Sequence, residues 1–263
     1  MEGGRGGFVI RSAAQVIAAI GALHRADAEG VLAFDGDGTL WSGDVGEDVF
    51  HRAIAEGFLQ DSARAALVRE AEAHGIAADG SPSAVAQRLF DAYLARRYPE
   101  RDVCAMMTWC YAGARVSELA GLTRAAFERS GLAGRLNREL EPIVSFARRE
   151  GLRVAVVSAS PQPIVELAAE LWEIPHSDIA ASRPALEGDV ILPRLAAPVP
   201  YAEAKVSALD ALVGAHHLLA SFGDNVFDVE LLTAARLGVA VRPKPALQSR
   251  LSELPGIVVL QSD

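Results

Sequence analysis

Between residues 31 and 39 the chain runs from the apolar tetrapeptide VLAF straight into Asp35-Gly36-Asp37-Gly38-Thr39. Two carboxylates one residue apart on a glycine-rich backbone suit calcium ligation, the ordinary ending of a strand in a turn, or nucleophilic and acid–base chemistry. The calcium loop fails. An EF-hand starting at Asp35 needs Gly at its sixth position and Glu at its twelfth, where this chain has Leu40 and Gly46. The other two readings are weighed by what stands at comparable places elsewhere. Ser158 follows VAVV, Gly223, Asp224 and Asp228 follow LLASF, and Lys205 opens a helical stretch between them. Each has a plain alternative: Ser158 as a helix N-cap before Pro161, Lys205 as a solvated lysine, Asp224 and Asp228 as turn and helix-start residues.

The elements that must position these groups are legible as an alternation. Continuous apolar runs at 31–34, 154–157, 218–222, 238–241 and 257–260 suit strands buried on both faces. Helical patterns at 161–174, 201–214 and 227–238 lie between them, which predicts an α/β fold with a doubly wound parallel sheet. In such a sheet ligands bind beyond the carboxyl ends of the strands, so Asp35, Asp37, Ser158, Asp224 and Asp228 can meet although they span 193 positions (228 − 35). From about residue 45 to 135 only helical periodicity appears, which predicts an all-helical insertion between the first two core strands. Residues 179–192 read as a strand and hairpin with Gly188-Asp189 near the turn.

Composition narrows the partners. With 263 residues and 51% hydrophobic content the chain can bury a large core. The formal net charge of −9 disfavours a nucleic-acid or anionic-membrane binder, and an anionic substrate needs local positive charge or a metal. Cys104 and Cys110 form neither a disulfide framework nor a metal-spacing motif, which fits a reducing, cytoplasmic compartment. The apolar patch at 13–23 reads as an amphipathic helix rather than a signal peptide, and no run is long enough for a membrane span. His216 and His217 read as surface residues.

The ordered set Asp35-Gly-Asp37-Gly-Thr39, Ser158, Lys205 and Gly223-Asp224-Asn225-Val226-Phe227-Asp228 resembles the four motifs of the haloacid dehalogenase-like (HAD) hydrolase superfamily, in particular its phosphoserine-phosphatase-like branch. It departs from the common pattern at Gly36, where many relatives carry a bulky apolar residue, and at Ser158-Ala159-Ser160, where that branch often has Ser-Gly-Gly. The resemblance implies a Rossmann-like core over residues 1–40 and 136–263 with a helical cap at 41–135. It implies a Mg2+-dependent phosphomonoester hydrolase working through an aspartyl phosphate on Asp35. Mg2+ is then held by carboxylates of Asp35 and Asp224 and the backbone carbonyl of Asp37. Lys205 and Ser158 bind the phosphoryl oxygens, Asp37 exchanges the proton, Asp228 orients Lys205 or a metal-bound water, and Thr39 helps hold the loop. Dehalogenases of the superfamily usually lack the second aspartate, so Asp37 favours phosphatase chemistry.

At the cap entry Asp44, Glu47 and Asp48 are either acids favouring a helix N-terminus or, for Asp44, a group that meets a substrate amine, as an acid at this offset does in some phosphoserine phosphatases. With Trp41 and Trp109 available for cation–π contact, phosphoserine, phosphoethanolamine or phosphocholine are candidate substrates. A phosphomutase on the same core and a non-catalytic binding protein are the competing readings.

Overall fold

The computed structural model describes residues 8–25, 29–214 and 217–261. Its main sheet has seven parallel strands in the order β1 (Val9–Arg11), β9 (Ile257–Leu260), β8 (Leu237–Ala240), β7 (His217–Gly223), β2 (Gly30–Phe34), β3 (Arg153–Pro161) and β4 (Ile179–Ser182). Successive strand residues point to opposite faces, so an apolar run supplies two cores at once. Leu32 and Phe34 pack with Val16 and Ile20 of α1 (Ala13–His24) and Ile143 of α7 (Glu141–Arg149). Val31 and Ala33 face Leu209 and Val213 of α9 (Ala204–Val213) on the other side. Phe34 and Phe222 stack at 4.2 Å across β2 and β7. The doubly wound sheet is therefore present, with β2 flanked by β3 and β7 where the winding reverses.

The amphipathic helix expected at 13–23 forms as α1, closed by a capping box: Ser12 Oγ accepts from Gln15 N, and the Gln15 side chain accepts from Ser12 N at 3.0 Å. Three departures from expectation have local causes. β1 was not anticipated, because it is three residues long and its apolar Val9 and Ile10 are exposed at the sheet edge. The helical pattern at 227–238 overruns: α10 (Val229–Ala234) stops and Leu237 already begins β8, since both structures bury Leu at that spacing. α7, which precedes β3, had no expectation attached. α8 (Gln162–Ala169) and α11 (Pro245–Gln248) complete the core helices.

Between β2 and β3 the chain is helical, with α2 (Val45–Glu56), α3 (Arg64–Ala73), α4 (Pro82–Leu94), α5 (Glu100–Trp109) and α6 (Val116–Ser130) and no strand. The hairpin expected near residue 188 forms from β5 (Pro184–Glu187) and β6 (Val190–Leu195). It docks the helical segment: Gly113 N donates to Ile191 O and Ile191 N to Ala114 O, each at 2.9 Å. The two ends of the segment also pair, with Ser42 N donating to Arg135 O at 2.9 Å and Asn137 N to Leu40 O at 3.0 Å. Among the described residues no helix is long and apolar enough to cross a membrane.

Candidate active site

The carboxyl ends of β2, β3 and β7 converge. Asp35 N donates to Phe222 O at 2.9 Å, which extends the β2–β7 ladder one residue and holds Asp35 at the sheet edge. Lys205, on the first turn of α9, donates to Asp35 Oδ1 at 2.6 Å and also to Asp228 Oδ1. All three are buried. Burial pulls the Lys205 ammonium down, but the carboxylates of Asp228 and Asp35 outweigh it and hold the group above the usual lysine range. Thr39 Oγ1 donates to Asp35 Oδ2 at 3.3 Å. Burial, then the nearby charge of Asp228, pushes the Asp35 carboxyl well above its ordinary range, with Lys205 pulling the other way. Asp228 Oδ2 accepts from Asp224 N at 3.1 Å and Asn225 N at 2.9 Å, so it shapes the loop after β7 as well as gripping Lys205.

Asp37 is held by a different set of groups. Its Oδ1 accepts from Trp41 Nε1 at 2.7 Å and Val45 N at 2.8 Å, and its Oδ2 accepts from Ser160 Oγ at 2.6 Å. Between the two aspartates, Gly36 O accepts from Leu40 N at 2.8 Å, and Gly38 adopts φ +88°. A Cβ on Gly38 would lie 2.0 Å from Asp224 Oδ2, so glycine is required here both for its backbone and for the approach of the β7 loop. Asn137 Nδ2 donates to Gly38 O at 3.1 Å and Thr39 O at 2.6 Å, fastening the loop from outside.

Asp35, Asp224 and Asp228 present oxygens within 4.8 Å of one another. Lys244 Nζ lies 3.0 Å from Asp224 Oδ2, while Asp224 Oδ1 is buried with no hydrogen-bond partner. Burial pushes Asp224 up to about 6, against the pull of Lys244. An orphaned carboxylate oxygen beside two other acids is a donor set of hard oxygens, and it fits a cation such as Mg2+. The Asp37 side chain is not one of this cluster, and its oxygens accept from three other donors.

The structure thus gathers Asp35, Asp37, Ser158, Lys205, Asp224 and Asp228 around one cavity, with Asp44 on its wall. Two readings need correction. Ser158 is no helix N-cap: it lies inside β3, and its Oγ accepts from Ser160 N at 3.1 Å, while Pro161 occupies the cap position of α8. Neither tryptophan can meet a substrate cation. Trp41 is fully buried with its indole N–H on Asp37, and Trp109 is buried away from the cavity lining. Aromatic surface comes instead from Tyr201 and Phe227, whose rings lie 4.5 Å apart. The helix-cap reading of Asp44 is met, for its carboxylate caps α2 by accepting from Glu47 N at 2.8 Å, and the residue also lines the cavity. Of the remaining entry acids, Asp48 pairs with Arg135. His217 opens β7 and is exposed, with Nδ1 3.4 Å from Arg236 Nη2; His216 lies outside the described residues. Cys104 and Cys110 are both free thiols.

Several site residues carried no sequence expectation: Ser160, Lys244, Asn137, Glu100, Cys104 and Tyr201. Lys244 had a usable signal, because it stands just past the carboxyl end of another expected strand.

Compared with families of known proteins, residues 32–233 match the model for HAD, haloacid dehalogenase-like hydrolase. The chain belongs to this family. It is therefore a hydrolase by descent, and its four motif regions are those brought together at the sheet edge. No curated protein matches the chain. Among solved structures it is similar to a protein of unknown function from Bordetella pertussis Tohama I, with TM-score 0.68 and 20% identity over 89% of this chain and 99% of that one. A HAD family hydrolase from Salmonella enterica subsp. enterica serovar Typhi matches with TM-score 0.57 and 14% identity, covering 94% of this chain and 77% of that one. A substrate-bound phosphoserine phosphatase matches with TM-score 0.52 and 15% identity, covering 89% of this chain and 93% of that one. At these identities the likeness establishes a shared fold.

Proposed function

We propose that this HAD hydrolase is a phosphomonoesterase that works through a phosphoaspartate on Asp35. The observation that carries the reading is the division of labour between two aspartates one residue apart: Asp35 faces Lys205 and the acidic cluster, and Asp37 is held separately by Trp41, Val45 and Ser160. In the first step an Asp35 oxygen bonds to phosphorus as the bond from phosphorus to the ester oxygen breaks. Asp37 delivers its proton to that oxygen. With Oδ1 fixed by two N–H donors, the proton resides on Oδ2, where the Ser160 hydroxyl turns to accept it or yields to the ester oxygen. In the second step water attacks the phosphoaspartate while Asp37 takes its proton back, so phosphate leaves and both aspartates are restored.

Lys205 and Ser158 hold the phosphoryl oxygens in this reading, and Asp228 keeps Lys205 aimed. Asp35, Asp224 and the Asp37 carbonyl are the proposed holders of Mg2+, with Asp228 close enough to contribute. When bound, the ion supplies positive charge that offsets repulsion between carboxylates and phosphate. Residues 41–135 serve as a cap on a core of 1–40 and 136–263. A small phosphorylated amine such as phosphoserine is the favoured substrate class, supported by the carboxylates of Asp44 and Glu100 at the cavity wall. The free cysteines and net charge of −9 support a cytoplasmic enzyme without nucleic-acid partners.

The test is phosphate release from a panel of amino and neutral phosphomonoesters, with Mg2+ and with a chelator. Turnover that depends on Mg2+, and the loss of both turnover and the covalent phosphate in Asp35→Asn, are expected. Full turnover by Asp35→Asn would overturn the reading.

A further inference from the structure

The space over Asp35 is small. Its cavity measures about 80 Å3; at roughly 10–15 Å3 for each water-sized group, it accepts a phosphoryl group and little more. Beside it lies a groove of about 680 Å3 between the start of α5 and the segment that follows β6. Glu100 and Tyr201 line both spaces and so form the neck between them. Beyond the neck Ala105, Leu195, Pro198 and Val199 give the groove an apolar strip, and Arg101, Asp102 and Glu203 stand elsewhere on its lining.

The neck carries an uncommitted acid. Among the described residues no cation or hydrogen-bond donor pairs with the Glu100 carboxylate, whereas the two lysines of the cavity are committed, Lys205 to Asp35 and Asp228 and Lys244 to Asp224. The Tyr201 and Phe227 rings beside it offer the aromatic faces that a desolvated ammonium prefers.

We propose that this groove is a leaving-group subsite for an amphipathic amine, whose ammonium sits at the Glu100–Tyr201 neck and whose hydrocarbon body lies against Ala105, Leu195, Pro198 and Val199. The inference rests on the phosphomonoesterase reading and specifies its substrate: an amine close to the phosphate ester, continued by an apolar tail. Phosphoserine and phosphoethanolamine fill only the neck.

Three phosphomonoesters separate the contributions: 2-aminohexyl phosphate, phosphoethanolamine without the tail, and hexyl phosphate without the amine. For the wild type, kcat/KM for 2-aminohexyl phosphate should exceed each of the others by about tenfold, the scale of one well-made contact. Glu100→Gln should collapse the ratio of 2-aminohexyl to hexyl phosphate. Ala105→Trp, which fills the groove, should collapse the ratio of 2-aminohexyl phosphate to phosphoethanolamine. Each ratio is internal to one variant, so partial misfolding cancels, and the wild-type ratios decide the matter if a variant is insoluble. Equal kcat/KM for the three esters, or ratios unmoved by both substitutions, overturns the subsite while leaving the phosphatase intact. Failure to release phosphate from any monoester, p-nitrophenyl phosphate included, removes the phosphatase reading and the subsite with it.

Discussion

Asn137 is far from Asp35, the proposed nucleophile, in sequence and bonded to its loop in space, which makes it a sharp test of how the site is held. Its side-chain amide donates to Gly38 O and Thr39 O, and the residue is 1% exposed. Asn137→Ala deletes two buried hydrogen bonds, each of net value about 0.5–1.5 kcal/mol, and strands two carbonyls in a place water reaches poorly. Against this, the wild-type Asn137 Oδ1 is itself buried without a partner, so its removal recovers part of the loss. The balance is a destabilisation of about 2 kcal/mol, which for a chain of this size lowers Tm by roughly 4–8 °C. Gly38 and Thr39 directly follow Asp37 and the Thr39 hydroxyl bonds Asp35, so the loop loosens where positioning matters and kcat should fall by about 10- to 100-fold with a smaller change in KM. Urea denaturation and steady-state kinetics with p-nitrophenyl phosphate measure the two effects. If Asn137→Ala loses stability but keeps kcat within threefold, a value well below the ~10-fold expected from misplacement, the loop is not positioned by this contact and the reasoning fails.

Other perturbations act on the charges and the backbone. Lys205→Met leaves Asp35 and Asp228 buried without their shared cation and should cost about 3–5 kcal/mol together with nearly all turnover; retention of stability in a thermal melt would show that the triad is not what the distances imply. Gly38→Ala adds a left-handed strain and a collision with Asp224, together about 2–4 kcal/mol, and should weaken Mg2+ binding measured by calorimetry. Asp44→Asn preserves the cap of α2 but removes a carboxyl that burial, then the charge of Asp37, pushes well above its ordinary value of 3.8. Because a raised acid stabilises the fold only while protonated, stability is lost as pH climbs from 3.8 through the folded value. The metal-free variant should therefore melt higher than the wild type at neutral pH and converge with it in acid.

The strands at 31–34, 154–157, 218–222 and 257–260 were legible because a strand buried on both faces needs an unbroken apolar run, and little else does at that length. The helical segment was legible because α2 to α6 each repeat their apolar residues at helical spacing. Asp35, Asp37, Ser158, Asp224 and Asp228 followed from the rule that ligands gather beyond the carboxyl ends of parallel strands, whereas Lys205, which opens a helix, was singled out by the resemblance to the family's motif order. Edge strand β1 escaped because solvent, rather than a core, lies on much of it.

What the chain determined by itself was most of the polar groups that gather at the cavity and the sheet that carries them, since local periodicity and a residue's place after a strand are both written in neighbouring residues. Tertiary structure alone decided their partners. Trp41 turned from a surface for cations into a buried donor to Asp37; Ser160 reached Asp37 across 123 positions, and Asn137 reached Thr39 across 98. Glu100 and Tyr201, from separate parts of the chain, became the two sides of one neck. Such pairings depend on how helices and strands pack at a distance, and the closeness they produce leaves no periodicity or spacing in the sequence from which to read it.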